Sequence, residues 1–197
     1  RNDFDPVDIA QRYHQAGASA ISCLTDQVDF GGQLDFIELI RAAVPLPVLR
    51  KDFIVDSWQI WESRAAGADA ILLIAECLTE QDIVDFQILA VELGMTVLLE
   101  VHDVESLYRV QNHVGFPHAG YSLLGINNRN LKTMKTDLAH TFRTARYLAT
   151  SSKKSISVQK CNSITCPKSS IFIPRAKQLS TYVMPLQMVK AASCTHV

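Results

Sequence analysis

Apolar residues along the chain fall in short unbroken runs that return at a regular interval, and between the runs they recur at every third or fourth position. The runs are Ala20-Ile21-Ser22-Cys23-Leu24, Pro47-Val48-Leu49, Ala70-Ile71-Leu72-Leu73-Ile74, Thr96-Val97-Leu98-Leu99 and Leu123-Leu124-Gly125-Ile126. A short run that is apolar at successive positions predicts a strand of a parallel sheet, covered on both faces. The runs begin near residues 20, 47, 70, 96 and 123, at intervals of about 27, 23, 26 and 27 residues, which leaves room for one crossover helix each time.

The segments between the runs carry helix signals. Asp5 is an N-cap, Pro6 takes the first helical position, and Gly17 marks the end. A second helix over 34–43 has apolar residues at Leu34, Ile37, Ile40 and Ala43 and is closed by Pro45 and Pro47. Ser57 is expected to cap a helix that Gly67 ends, and Thr79-Glu80-Gln81-Asp82 opens one that ends near Gly94. Further helices are expected over 104–113 and 137–148. Such β-α alternation fits either a (β/α)8 barrel or a doubly wound sheet. No Gly-x-Gly-x-x-Gly follows any of the runs. Polar residues collect after them instead, as Thr25-Asp26, Lys51-Asp52, Glu76, Glu100, His102-Asp103 and Asn127-Asn128-Arg129-Asn130. Barrel enzymes gather catalytic groups from this end of several strands, so the expected fold is an α/β (β/α)8 TIM barrel, incomplete, with five strands recognisable.

Composition narrows the function classes. The 197 residues are 48% apolar and 20% charged with a net charge of −1, an ordinary globular balance with no electrostatic footprint for nucleic acid or an anionic membrane. No run of about 18 apolar residues occurs, and Arg1-Asn2-Asp3-Phe4-Asp5-Pro6 does not read as a signal peptide, so a cytoplasmic location is expected. The five cysteines are an odd set, and Cys23 and Cys77 lie in apolar runs, which favours reduced, buried thiols. Cys161 and Cys166 lack a matching pair of ligands, and no metal is expected. The average hides a break: all 20 acidic residues and all 8 glycines precede residue 138, whereas Ser151 to Val197 is basic and rich in serine. The expected division is a barrel domain over 1–149 and an atypical tail over 150–197, frameshifted or disordered.

The candidate chemistry centres on Pro47-Val48-Leu49-Arg50-Lys51-Asp52-Phe53-Ile54-Val55-Asp56, where a buried strand runs into charges. A lysine at a barrel mouth can act as a general acid or bind an anion, and a carboxylate can move protons. Lys51 and Glu100 stand two strands apart, and alternate strands share an interior layer, so the two are expected to face each other. Asn127 can fix a hydroxyl or carboxylate, Arg129 can hold a carboxylate through two parallel bonds, and Phe30 and Phe53 offer flat apolar walls.

The runs at 47–56 (PVLRKDFIVD), 67–74 (GADAILLI), 98–103 (LLEVHD) and 125–133 (GINNRNLKT), with Leu24-Thr25-Asp26 and Phe30-Gly31-Gly32, closely resemble indole-3-glycerol phosphate synthase, a (β/α)8 barrel of tryptophan biosynthesis. The resemblance covers roughly residues 3–148. It implies a carboxy-lyase that closes the indole ring of 1-(2-carboxyphenylamino)-1-deoxyribulose 5-phosphate with loss of carbon dioxide and water, using neither cofactor nor metal. By motif it implies Lys51 as general acid at the ribulose carbonyl and Glu100 as the carboxylate assisting proton transfer. It implies Asn127 and Arg129 as substrate-positioning groups, and Phe30, Phe53 and Leu72 as packing against the anthranilate ring. The family's first strand would precede Arg1, and its seventh and eighth, with their phosphate loop, would follow Leu148, where the glycine-free tail stands instead. That leaves open whether the chain is active as it stands or is a non-catalytic barrel fragment. A further alternative is another phosphate-sugar barrel, such as phosphoribosylanthranilate isomerase, which the Lys51 and Glu100 motifs disfavour. The implied partner is a small phosphorylated substrate, with other enzymes of the pathway as a further expectation, and neither nucleic acid nor membrane.

Overall fold

The computed structural model describes residues 4–128, 136–137, 139–141, 143–144, 147 and 183–185. Helix α1 (Pro6–Gln15) starts where its cap dictates: the Asp5 carboxylate accepts hydrogen bonds from the backbone N–H of Val7 at 2.8 Å and Asp8 at 3.3 Å. Strand β1 (Ile21–Leu24) follows, then α2 (Phe36–Ala43), whose Ile37 and Ile40 are buried as their spacing predicts. After β2 (Val48–Lys51) comes α3 (Ser57–Ala65). The cap of α3 is Asp56 and not Ser57, because the Asp56 carboxylate accepts from Trp58 N–H while Gln59 reaches back to the Asp56 backbone. Strand β3 (Ala70–Ile74) leads through a 3-10 turn (Ala75–Cys77) into α4 (Glu80–Glu92), opened by a reciprocal Thr79–Asp82 box. Strand β4 (Thr96–Val101), α5 (Val104–Val110) and β5 (Ser122–Ile126) complete the regular alternation. Helix α5 is shorter than the expected 104–113, and His140, Thr141, Arg143, Thr144 and Tyr147 are helical within the expected 137–148.

All strands are parallel and lie in sequence order, β1-β2-β3-β4-β5, with β6 (Val183–Pro185) beside β5. A doubly wound sheet reverses its order at a switch point, whereas this one advances in a single direction, as a barrel wall does. The β3–β4 and β4–β5 pairings are the longest, five residues each. β6 falls in the segment expected as a tail, most of which lies outside the described residues. No helix among the described residues is long and apolar enough to cross a membrane.

Period-two alternation divides each strand between two cores. Val48, Ile71, Leu73, Val97, Leu99, Val101, Leu124 and Ile126 pack outward against the helices, with Ile37, Ile60, Ile83 and Leu107. Leu49, Ala70, Leu72, Ile74, Leu98 and Leu123 form a second, smaller cluster on the opposite, inner face. β3 is buried at all five positions, which is why its sequence is apolar throughout. Cys23 is buried as expected, but Cys77 is exposed, because the strand has ended and residue 77 rides on the 3-10 turn.

Candidate active site

The inner face carries the site. Continuing the alternation from Leu49 puts Lys51 on that face at the end of β2, and continuing from Leu98 puts Glu100 there on β4. Leu123 likewise leads to Asn127, whose backbone N–H still bonds to the Val101 carbonyl just past β5. Leu72, 1% exposed, lies below them in the apolar floor.

Glu100 is the most buried ionisable group described, at 1% exposure. A carboxylate in that position is costly unless hydrogen bonds replace water. Its Oε1 has them: Asn127 Nδ2 donates at 2.8 Å, and His102 Nε2 lies 3.2 Å away. The His102 approach is close enough for charge attraction but is not aligned as a hydrogen bond. Glu100 Oε2 is buried and has no partner among the described residues. A carboxylate held by one oxygen with the other left bare can take or give a proton to a bound molecule. Among the described residues Lys51 makes no side-chain hydrogen bond or ion pair. Strand alternation puts Lys51 and Glu100 on the same face, with no ion pair between them.

Phe30 and Phe53 come together at a ring-centroid distance of 6.3 Å, tilted by 35°, and both remain exposed, at 44% and 40%. Apolar rings left in water beside a polar site are poised to cover a flat ligand. The loop holding Phe30 is fixed by its own backbone: Asp26 Oδ1 accepts from Asp29 and Phe30 N–H, and the Asp26 carbonyl accepts from Gly32 N–H at 2.7 Å. Gly32 presses against the end of β1 so closely that a Cβ would lie 2.3 Å from the Leu24 carbonyl oxygen, so only glycine fits. Arg129 lies outside the described residues.

The other charges of the 47–56 segment turn away from the site. Arg50 is 5% exposed and points outward, bonding to Asp52 at 3.0 Å, Glu62 at 2.8 Å, Thr25 and Ser63 Oγ at 3.1 Å and the Gln59 carbonyl. Asp52 also accepts from Thr25 Oγ1 at 2.6 Å. The charge cluster that drew attention in the sequence therefore divides: Lys51 serves the inner face, Arg50 and Asp52 clamp β1, β2 and α3, and Asp56 caps a helix.

Two neighbours of Glu100 were not picked out from the sequence as site residues, although they sit in the polar clusters after β3 and β4. Glu76 Oε2 lies 2.9 Å from His102 Nδ1, and Glu76 Oε1 accepts the His102 backbone N–H at 2.7 Å. Burial opposes a charged ring at His102, but the contacts with Glu100 and Glu76, and their negative charges, prevail and raise its pKa from 6.5 to about 9. Burial likewise favours neutral Glu76, yet the His102 ring and backbone N–H, Ser106 and the imidazolium charge lower its pKa from 4.5 to about 2. Their alternation with Glu100 along adjoining strand ends was the available signal, but it specifies no contact.

The profile of the indole-3-glycerol phosphate synthase family matches residues 1–163. The chain is 48% identical over 145 residues to indole-3-glycerol phosphate synthase of Rhodopirellula baltica and 50% identical over 146 residues to that of Rhodospirillum rubrum. Each alignment covers 74% of this chain and 54% of the relative, so the chain spans about half the length of the curated relatives it matches. Among solved structures, KGPDC from Streptococcus mutans superposes with a TM-score of 0.51 at 10% identity, covering 93% of this chain and 83% of that one, a likeness of fold alone.

Proposed function

We propose, because the chain belongs to the indole-3-glycerol phosphate synthase family, that its inner face is the catalytic centre for closing the indole ring of 1-(2-carboxyphenylamino)-1-deoxyribulose 5-phosphate. The observation that carries this reading is Glu100, whose Oε1 is tied to Asn127 while Oε2 stands bare on the face that also bears Lys51. In the first step the ring carbon bearing the carboxylate attacks the ribulose carbonyl, and Lys51 gives that oxygen a proton as its charge develops. The carbon–carbon bond to the carboxylate then breaks, the electron pair returns to the ring, and carbon dioxide leaves. Finally the new hydroxyl departs as water. Glu100 Oε2 takes a proton from the carbon that was C1 of the ribulose chain, and Lys51, reprotonated from solvent, gives one to the departing hydroxyl, so that the step balances. Phe30 and Phe53 sandwich the aromatic ring, Leu72 floors it, and Asn127 holds both Glu100 and the sugar side. Arg129 is assigned to the substrate carboxylate. The phosphorylated metabolite also supports a cytoplasmic setting and contact with other enzymes of the pathway.

The test is fluorescence-monitored product formation by the purified 197-residue chain, with Lys51→Ala and Glu100→Gln as controls. Turnover abolished by both substitutions is the expected result. A folded chain that gives no product and binds no product analogue would overturn the reading for this polypeptide, as would turnover that survives both changes.

A further inference from the structure

His102 has no part in the roles assigned above, yet it lies in contact with Glu100 and is held by a second carboxylate. Its ring is 7% exposed and lies between two carboxylates, Glu76 at Nδ1 and Glu100 at Nε2. The Glu76 side is the firmer. One carboxylate holds both the ring and the backbone N–H of the same residue, which fixes the main chain and the ring plane together. The turn bearing Glu76 is itself pinned from α5, where Arg109 donates to the carbonyls of Ala75 and Leu78. We propose that His102 is a positioning residue for Glu100: fixed by Glu76, its ring stands with Nε2 3.2 Å from Glu100 Oε1 and holds that oxygen by charge attraction, so that Oε2 alone is left to move protons.

The inference deepens the synthase reading and rests on it for the part Glu100 plays. A neutral histidine would fit this place poorly, because one of its nitrogens would turn a lone pair towards a carboxylate. The imidazolium donates to Glu76 through Nδ1 and carries the charge that offsets two anions. The charged groups facing it are Glu76 on the turn after β3 and Glu100 on β4, and these are met in turn by Ser106 on α5 and Asn127 after β5. Cys77 stands beside the same two carboxylates, whose charges, after burial, push its thiol pKa up. Asp103 is turned away, accepting from Ser106 N–H at 2.7 Å as the cap of α5. Arg109 is committed to carbonyls and does not compete for either carboxylate.

Two measurements on the full chain test the assignment. The first follows the His102 ring by NMR through a pH titration in the parent, Glu76→Gln and Glu100→Gln proteins. The parent ring is expected to stay protonated past neutrality, and each substitution should lower its midpoint by about one pH unit or more. The second compares kinetics of His102→Ala, Glu100→Gln and the double variant. His102→Ala should lower kcat about 10- to 100-fold with KM little changed, the scale of a lost orienting contact, and the double variant should be no slower than Glu100→Gln alone. An ordinary midpoint near 6.5 that ignores both glutamates would overturn the proposal, as would rate losses that multiply in the double variant. A parent chain with no turnover would count against the synthase reading only, because the titration and its response to Glu100→Gln decide the His102 contact without it.

Discussion

Two buried charges on strands of one sheet have opposite surroundings. Arg50, pointing outward from β2, is 5% exposed and bonds to Asp52, Glu62, Thr25, Ser63 and a carbonyl, so its charge and its donors are met. Glu100, pointing inward from β4, is 1% exposed and has one oxygen met and one bare. Both are far too buried to be tolerated by accident. The difference is one of satisfaction: Arg50 is met on every side and holds elements together, whereas Glu100 keeps one oxygen without a partner among the described residues, which is the feature the proposed proton transfer rests on.

Substitutions should pull these two apart. Glu100→Gln keeps the shape and removes the charge, so the synthase rate should fall by about 10²- to 10⁴-fold, while the stability lost at neutral pH should be smaller than for Arg50→Met, because Glu76 still faces the His102 ring. Arg50→Met should do the reverse, costing about 3–5 kcal/mol of stability by stranding Asp52 and Glu62. Equal losses of stability in the two variants, measured by urea unfolding, would erase the distinction.

The pH dependence of stability probes the Glu76–His102 pair. Glu76, lowered to about 2, stabilises the fold above its ordinary value of 4.5, and that contribution is lost as pH falls towards 2. His102, raised to about 9, stabilises it fully below 6.5, and that contribution is lost as pH rises through 9. The thermal midpoint should therefore be highest between about pH 4.5 and 6.5, and Glu76→Gln should flatten both flanks. A parent curve no steeper than the variant's would mean that the pair is not coupled. The smallest effect is expected at the exposed rings: Phe53→Ala should raise KM several-fold, about 0.5–1.5 kcal/mol, with kcat nearly unchanged.

The fold was readable because a parallel strand covered on both sides leaves an unmistakable mark. Ala70 to Ile74 could not be apolar at all five positions in a surface sheet. The caps were legible to within one residue, and the slip from Asp56 to Ser57 arose because both residues can cap and only the Gln59 reciprocal bond chooses. At the candidate site, alternation put Lys51 and Glu100 on one face at strand ends, but it did not show that no ion pair joins them. Alternation fixes which face a side chain takes and says nothing about what it touches. The Arg50 clamp and the Glu76–His102 contact were hidden for the same reason. Each joins residues on separate elements through side-chain geometry that no local pattern records.

The contacts that make the site join only adjoining βα units. Asn127 meets Glu100 across 27 residues of chain, and His102 meets Glu76 across 26. Neither requires the two ends of a barrel wall to meet. The entropy lost in closing such loops is modest and nearly the same for both, and short sequence separations favour early contacts. The constellation is thus expected to assemble during synthesis as soon as β5 can dock on β4, before any step that depends on strands from distant parts of the chain. Selection can then act on the chemistry of three consecutive strand ends as a movable cassette, independent of how the wall around it is completed.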